Sequence, residues 1–190
     1  PVAEDTGLIV PLGRSILEQS CRAMAVVRDQ TGSAMKVAVN VSARQFRHDG
    51  FVDDVRAAAE RAGLPCECLE LEITESLLLG DMGLIGAKLR ELSELGVAVS
   101  VDDFGTGYSS LNYLSRLPLD RIKIDRSFVQ RLHGGQSDVD LLQAIIQMGR
   151  SLRLRVLAEG VETRDDADTL TEMGCDEAQG YFFGKPMPLH

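Results

Sequence analysis

Two adjacent carboxylates, Asp102 and Asp103, close an apolar alternating run (Val97, Val99, Val101) and stand directly before Phe104-Gly105-Thr106-Gly107. Paired acids at a strand's end, followed by a glycine-bearing loop, suit a divalent cation held by hard oxygen ligands. A local role competes: Asp103 or Thr106 can cap the helix that follows. The rest of the chain bears on the choice. Asn40, Glu72, Asp102, Lys123, Glu159 and Gln179 recur about once per strand–helix unit, each toward the C-terminal end of a strand-like run.

The elements that must position these residues alternate. Leu8, Leu12, Ile16, Cys21 and Met24 predict a helix over 8–27, and KVAVNVS (36–42) a strand. Phe51, Val55, Ala58 and Ala59 mark a helix over 49–62, and CLELEITES (68–76) the next strand. Leu84, Ile85, Leu89, Leu92 and Leu95 predict a helix ended by Gly96, before the strand at 97–103 and a short helix near 109–116. RIKID (121–125), a helix through Val139 to Leu152, RVLAEGVE (155–162), a helix over 164–173 and EAQGYFF (177–183) complete the series. Such alternation implies parallel strands joined by crossovers. One face of the strands is apolar (Val39, Val41, Leu69, Leu71, Ile73, Val99, Val101, Ile122, Ile124, Val156), as a helix-covered face should be. The other carries Asn40, Glu70, Glu72, Ser100, Asp102, Arg121, Lys123, Arg155 and Glu159. That many polar groups under a second helix layer would be costly to desolvate, whereas inside a barrel they can meet one another. The fold expected is therefore a (β/α)₈ barrel, whose active sites lie at the C-terminal strand ends. Glu70, Arg121 and Arg155 should form a deeper charge-paired layer. About six strands are visible, and the missing ones are expected before Pro1.

Composition narrows the function classes. The 190 residues, 44% hydrophobic and 26% charged, suit a single domain spanning 1–190. A net charge of -9 argues against a DNA- or RNA-polymer surface. It leaves room for a small phosphate ligand if a metal ion offsets the repulsion. Four cysteines without a CxxC pair and three histidines without HExxH argue against zinc and for free thiols in a reducing cytoplasm. No apolar run is long enough to cross a bilayer, although a longer parent protein could still be membrane-tethered. The opening PVAEDTGLIV has no initiator Met and reads as the interior of a longer protein.

AEDTGLI (3–9), NVSARQF (40–46), LELEITES (69–76), VDDFGTGYSSL (101–111), IKIDRSFV (122–129), AEGVET (158–163) and GCDEAQGYFFGKP (174–186) resemble, in order, the motif set of the EAL domain family of bacterial cyclic di-GMP phosphodiesterases. The resemblance implies a TIM-barrel-like EAL fold, incomplete here at its first strands. It also implies metal-dependent hydrolysis of cyclic di-GMP to linear pGpG with two Mg²⁺ or Mn²⁺ ions. By the same resemblance Asn40, Glu72, Asp102, Asp103 and Glu159 are metal ligands, and Glu159 is also a candidate general base. Lys123 would contact the attacking water or the phosphate, Gln179 the water network, and Glu162 the loop around the substrate. Glu75 would anchor the loop bearing Gly105, Thr106 and Gly107 and link it to contacts in a homodimer. Read as isolated residues, Asn40 can be a strand-end turn residue and Glu75 can cap the following helix. The Glu-Ala-Leu tripeptide of the family's first strand, whose Glu is a ligand, does not occur at the corresponding start, which implies impaired catalysis by this piece alone. Two other classes compete with the enzyme: a regulator that binds cyclic di-GMP without cutting it, and an inert fragment. The intact visible ligand set favours the enzyme.

Overall fold

The computed structural model describes residues 2–32, 35–105 and 114–188. Six strands alternate with helices: β1 (Val37–Val41), β2 (Leu69–Thr74), β3 (Ala98–Phe104), β4 (Arg121–Ile124), β5 (Arg155–Glu159) and β6 (Glu177–Gln179). Their order in the sheet is their order in the chain. No reversal point of the doubly wound kind occurs among them, so the topology is that of successive strands around a barrel. The chain divides into two compact units, Pro1–Ser100 and Val101–His190.

In the first unit, β1 and β2 pair in parallel, with Val39 opposite Leu71 and Asn40 opposite Glu72. Val39, Val41, Leu69, Leu71 and Ile73 are buried, as their alternation predicts, and Glu70 and Glu72 on the other face are buried as well. The first long helix runs over Ile9–Thr31 and ends where Gly32, at φ 63°, donates its N–H to the Arg28 carbonyl. Its buried face is Gly13, Leu17, Cys21 and Met24. The expected stripe was offset: Leu8, Leu12 and Ile16 are 60%, 49% and 45% exposed. This helix is apolar around much of its circumference, so periodicity alone does not select a face. Gly13 does, because the Gln45 side chain occupies the space its Cβ would fill. The helix Met82–Glu94 is capped by Asp81, whose Oδ1 accepts from the Gly83 and Leu84 N–H groups. It carries a buried lysine, Lys88, whose ammonium donates to the carbonyls of Phe46 (2.9 Å) and His48 (2.6 Å). Burial lowers the Lys88 pKa, against the opposing pull of Asp49 and Glu91.

In the second unit, β4 pairs in parallel with β5, and β5 with β6. The helix Gln136–Ser151 lays Leu142, Ile145, Ile146 and Gly149 into the core, and its Gly149 lets Val156 and Ile122 approach the backbone. Arg121 and Arg155, expected to meet Glu70, both pair with Glu177, at 2.9 and 3.0 Å. Arg155 is not deep: its side chain is 72% exposed at the start of β5. Burial pushes the Glu177 carboxyl up, but the hydrogen bond from Arg155 and the charge of Arg121 outweigh it and hold it below the ordinary range. Strands β5 and β6 stop earlier than their apolar runs predict. Gly160 turns the chain at φ 75° after β5. After β6, Gly180 packs its bare Cα against the Val161 backbone. The helix expected near 109–116 lies almost wholly outside the described residues.

Candidate functional site

In the first unit, Asn40 and Glu72 sit side by side at the C-terminal ends of β1 and β2. Asn40 is exposed, Glu72 buried. Glu75 opens the short 3₁₀ turn Glu75–Leu79 and is buried. The helix beyond it takes its cap from Asp81, so the capping role considered for Glu75 is already filled.

The second unit holds a tighter cluster. Lys123, on β4, places its Nζ 2.9 Å from Asp102 Oδ1 and 2.8 Å from Glu159 Oε1. Gln179 lies opposite Glu159 in the β5–β6 register and donates its amide to the same carboxylate at 3.2 Å. Three strand ends, β3, β4 and β5, thus converge on one ammonium, and β6 adds an amide. Side-chain parity explains the convergence: Asp102, Lys123 and Glu159 share the face opposite Val101, Ile122, Ile124 and Ala158.

Asp103 leaves this pattern. At φ 52° it sits in the left-handed region, which ends the strand alternation, and its side chain is exposed. Its carboxyl is pushed above the ordinary range by desolvation first, then by Asp102 and Asp125, against Lys123. Gly105 follows at φ 96°, with the Phe128 ring 2.8 Å from where a Cβ would be, so both backbone and space demand glycine there. Thr106 and Gly107 lie outside the described residues.

Glu162 belongs to the turn after β5. Its N–H and that of Thr163 donate to Asp166 Oδ2 at 3.3 and 2.9 Å, and the Asp166 N–H returns to Thr163 Oγ1, a capping box for the helix Arg164–Glu172. Beside it, a cavity of about 220 Å³ is lined by Arg126, Glu159, Glu162, Gln179 and Tyr181. Sequence reasoning gave no role to Arg126 or Tyr181, although both lie inside motifs it used, IKIDRSFV and GCDEAQGYFFGKP. Among the described residues, no three His, Cys, Asp or Glu side chains form a ready metal cluster. The oxygen donors come instead as the Asn40–Glu72 pair and the lysine-bridged Asp102–Glu159 pair.

The carboxyls of Asp125, Asp166 and Glu177 are all held below the ordinary range: hydrogen bonds, and for Asp125 and Glu177 also neighbouring arginines, outweigh the burial that raises each. The folded chain therefore binds fewer protons at these groups than the unfolded one. Their stabilisation is complete above the unfolded carboxylate pKa and is lost as pH falls through the lowered folded values. Asp103, shifted upward, acts in the opposite sense, and its unfavourable contribution is relieved on acidification. With three groups against one, the urea midpoint should stay level down to about pH 5 and fall below about pH 4. A midpoint that rises in that window would contradict the assignments.

Residues 1–186 match the family model of the EAL domain. The chain belongs to the EAL domain family. Among curated relatives of this EAL domain is the bifunctional diguanylate cyclase/cyclic di-GMP phosphodiesterase MucR of Pseudomonas aeruginosa, 46% identical over 188 residues, which are 99% of this chain and 27% of the relative. The cyclic di-GMP phosphodiesterase PdeR of Escherichia coli is 40% identical over 186 residues, 98% of this chain and 28% of the relative. The chain thus spans little more than a quarter of either relative's length. The solved MucR phosphodiesterase in complex with cyclic di-GMP superposes with a TM-score of 0.95 at 46% identity, covering 99% of this chain and 76% of that one. The EAL enzyme Bd1971, bound to cAMP and cyclic di-GMP, gives 0.93 at 31% identity, covering 98% and 51%. The TIM-barrel-like α/β fold expected from the strand faces is the EAL fold of these structures. Among the described residues no helix is long and apolar enough to cross a membrane.

Proposed function

We propose that this EAL domain hydrolyses cyclic di-GMP to linear pGpG, using Mg²⁺ or Mn²⁺. The observation that carries the reading is the Lys123 ammonium held between Asp102 and Glu159, with Gln179 on Glu159, at the C-terminal strand ends of a domain whose relatives are named cyclic di-GMP phosphodiesterases. Asn40 and Glu72 in one unit, and Asp102, Asp103 and Glu159 in the other, offer the hard oxygens that would hold the ions. The Asp103 carboxyl, pushed up by desolvation first and then by the charges of Asp102 and Asp125, would be relieved by a cation. Bound there, the ions would supply an activated water and charge neutralisation at the phosphoryl oxygens.

The chain's own groups do the rest. Glu159 accepts the proton of the attacking water, and the Gln179 amide fixes the orientation of its carboxylate. Lys123 offsets negative charge at the phosphodiester. Glu162 shapes the adjoining wall, and Glu75 anchors the loop that carries Gly105, Thr106 and Gly107 and links it to a homodimer contact. Glu75→Gln should lower both the metal dependence and the rate, the latter about tenfold, as loss of a supporting group near a metal does. Full activity with unchanged metal dependence would remove Glu75 from the mechanism.

The deciding assay follows cyclic di-GMP and pGpG chromatographically with the full-length protein, with Mg²⁺ or Mn²⁺ and then with a chelator. Metal-dependent conversion to pGpG is expected. Binding of cyclic di-GMP without cleavage would make the domain a regulator instead.

A further inference from the structure

The turn that joins Glu159 to the helix Arg164–Glu172 is held by Asp166 of that helix, which is contacted in turn by a side chain from an earlier part of the second unit. Asp166 is buried and accepts three hydrogen bonds. Its Oδ2 takes the N–H groups of Glu162 and Thr163, and its Oδ1 faces His133 Nε2 at 3.0 Å. Hydrogen bonds from Thr163, His133 and Glu162 override the effect of burial and keep this carboxyl ionised. A carboxylate only accepts, so Nε2 must carry the proton. The other ring nitrogen, Nδ1, lies 4.0 Å from Asp165. The imidazole therefore faces two acids of one helix N-terminus, while it belongs to the turn before the helix Gln136–Ser151. Nothing in the sequence marks His133.

We propose that His133 is a positioning residue for the Glu159–Thr163 turn, acting through Asp166. The geometry makes this specific. Asp166 can hold Glu162 and Thr163 only while its carboxylate plane is fixed, and the His133 N–H occupies the oxygen that would otherwise swing toward water. The turn so fixed begins with Glu159 and lines the cavity with Glu159, Gly160 and Glu162. His133 touches neither of those carboxylates. It belongs to the scaffold that sets their distance from Lys123.

The kinetic part of this proposal rests on the phosphodiesterase reading; the structural part does not, and the test separates them. Amide hydrogen exchange at Glu162 and Thr163 is measured in the wild type, His133→Ala and His133→Gln, beside steady-state kinetics on cyclic di-GMP with the full-length protein. Loss of one hydrogen bond to a charged group at a half-open site should speed exchange at both amides about fivefold in His133→Ala. It should lower kcat about threefold and leave KM within about twofold, because the turn positions a reacting group and not the bulk of the ligand. His133→Gln, whose amide nitrogen can occupy the place of Nε2, should restore both. Unchanged exchange in His133→Ala would overturn the proposal, as would a Gln variant no better than Ala, or a lowered melting temperature with kcat intact. If the wild type shows no turnover, the phosphodiesterase reading falls and exchange with its rescue decides the role of His133.

Discussion

Lys123→Met is expected to lower kcat/KM for cyclic di-GMP about a thousandfold, the scale on which positioned acid–base and electrostatic groups act. Methionine keeps much of the length and volume of the side chain, so the buried stem between β3 and β5 stays filled. The ammonium alone is lost, and with it the 2.9 and 2.8 Å contacts that hold Asp102 and Glu159. Two carboxylates left without that charge attract a divalent cation more strongly. Mn²⁺ affinity, read by calorimetry without substrate, should therefore rise or hold even as turnover collapses. This opposition separates a chemical role from a folding defect, since a misfolded site loses both. A fall in rate below about tenfold would remove Lys123 from the chemistry.

Gly180→Ala is expected to cost about 3 kcal/mol of stability, among the larger effects a single methyl can have. The added Cβ would land on the main-chain O, N and C atoms of Val161, and backbone cannot step aside as a side chain can. Val161 is itself committed there: its N–H donates to the Gln179 carbonyl at 3.1 Å, and its carbonyl accepts from Phe182 at 3.1 Å. Opening that crossing would break one of these bonds or drag Gln179 off Glu159, so stability and rate should fall together. Gly184→Ala is the control, since nothing lies within 4 Å of its Cβ position, and it should change the urea midpoint little. Equal midpoints for the two variants would mean that the chain does not make this close approach.

Much of this arrangement is legible from local pattern. Alternation is a property of consecutive residues, so the buried face of β1 and β2, and the common side of Asp102, Lys123 and Glu159, follow from parity. What escapes is set by residues far away in the chain. The buried face of the helix Ile9–Thr31 depends on Gln45 filling the space beside Gly13, and no periodicity within the helix reports that. The pairing of Arg121 and Arg155 with Glu177 depends on where β6 begins. Glu177 shares the parity of Gln179, so that signal was present but stood outside the run taken as the charged layer. Strands β5 and β6 end early because Gly160 and Gly180 turn the chain, although Val161 follows the first and Tyr181, Phe182 and Phe183 the second. His133 is the extreme case, a residue whose meaning rests entirely on Asp166, which lies 33 positions on.

The two buried lysines, Lys88 and Lys123, are both committed to oxygen atoms, whereas Lys36 and Lys185 stand in solvent. The domain is therefore graded toward amine-reactive reagents: two sites open to acylation and two shielded, one of the shielded pair in the scaffold and the other in the cluster at the strand ends. An ion that drew Asp102 and Glu159 away from Lys123 would loosen that shielding while leaving Lys88 as it was. Labelling at Lys123 relative to Lys88 would then report occupancy of the strand-end cluster in the absence of any nucleotide.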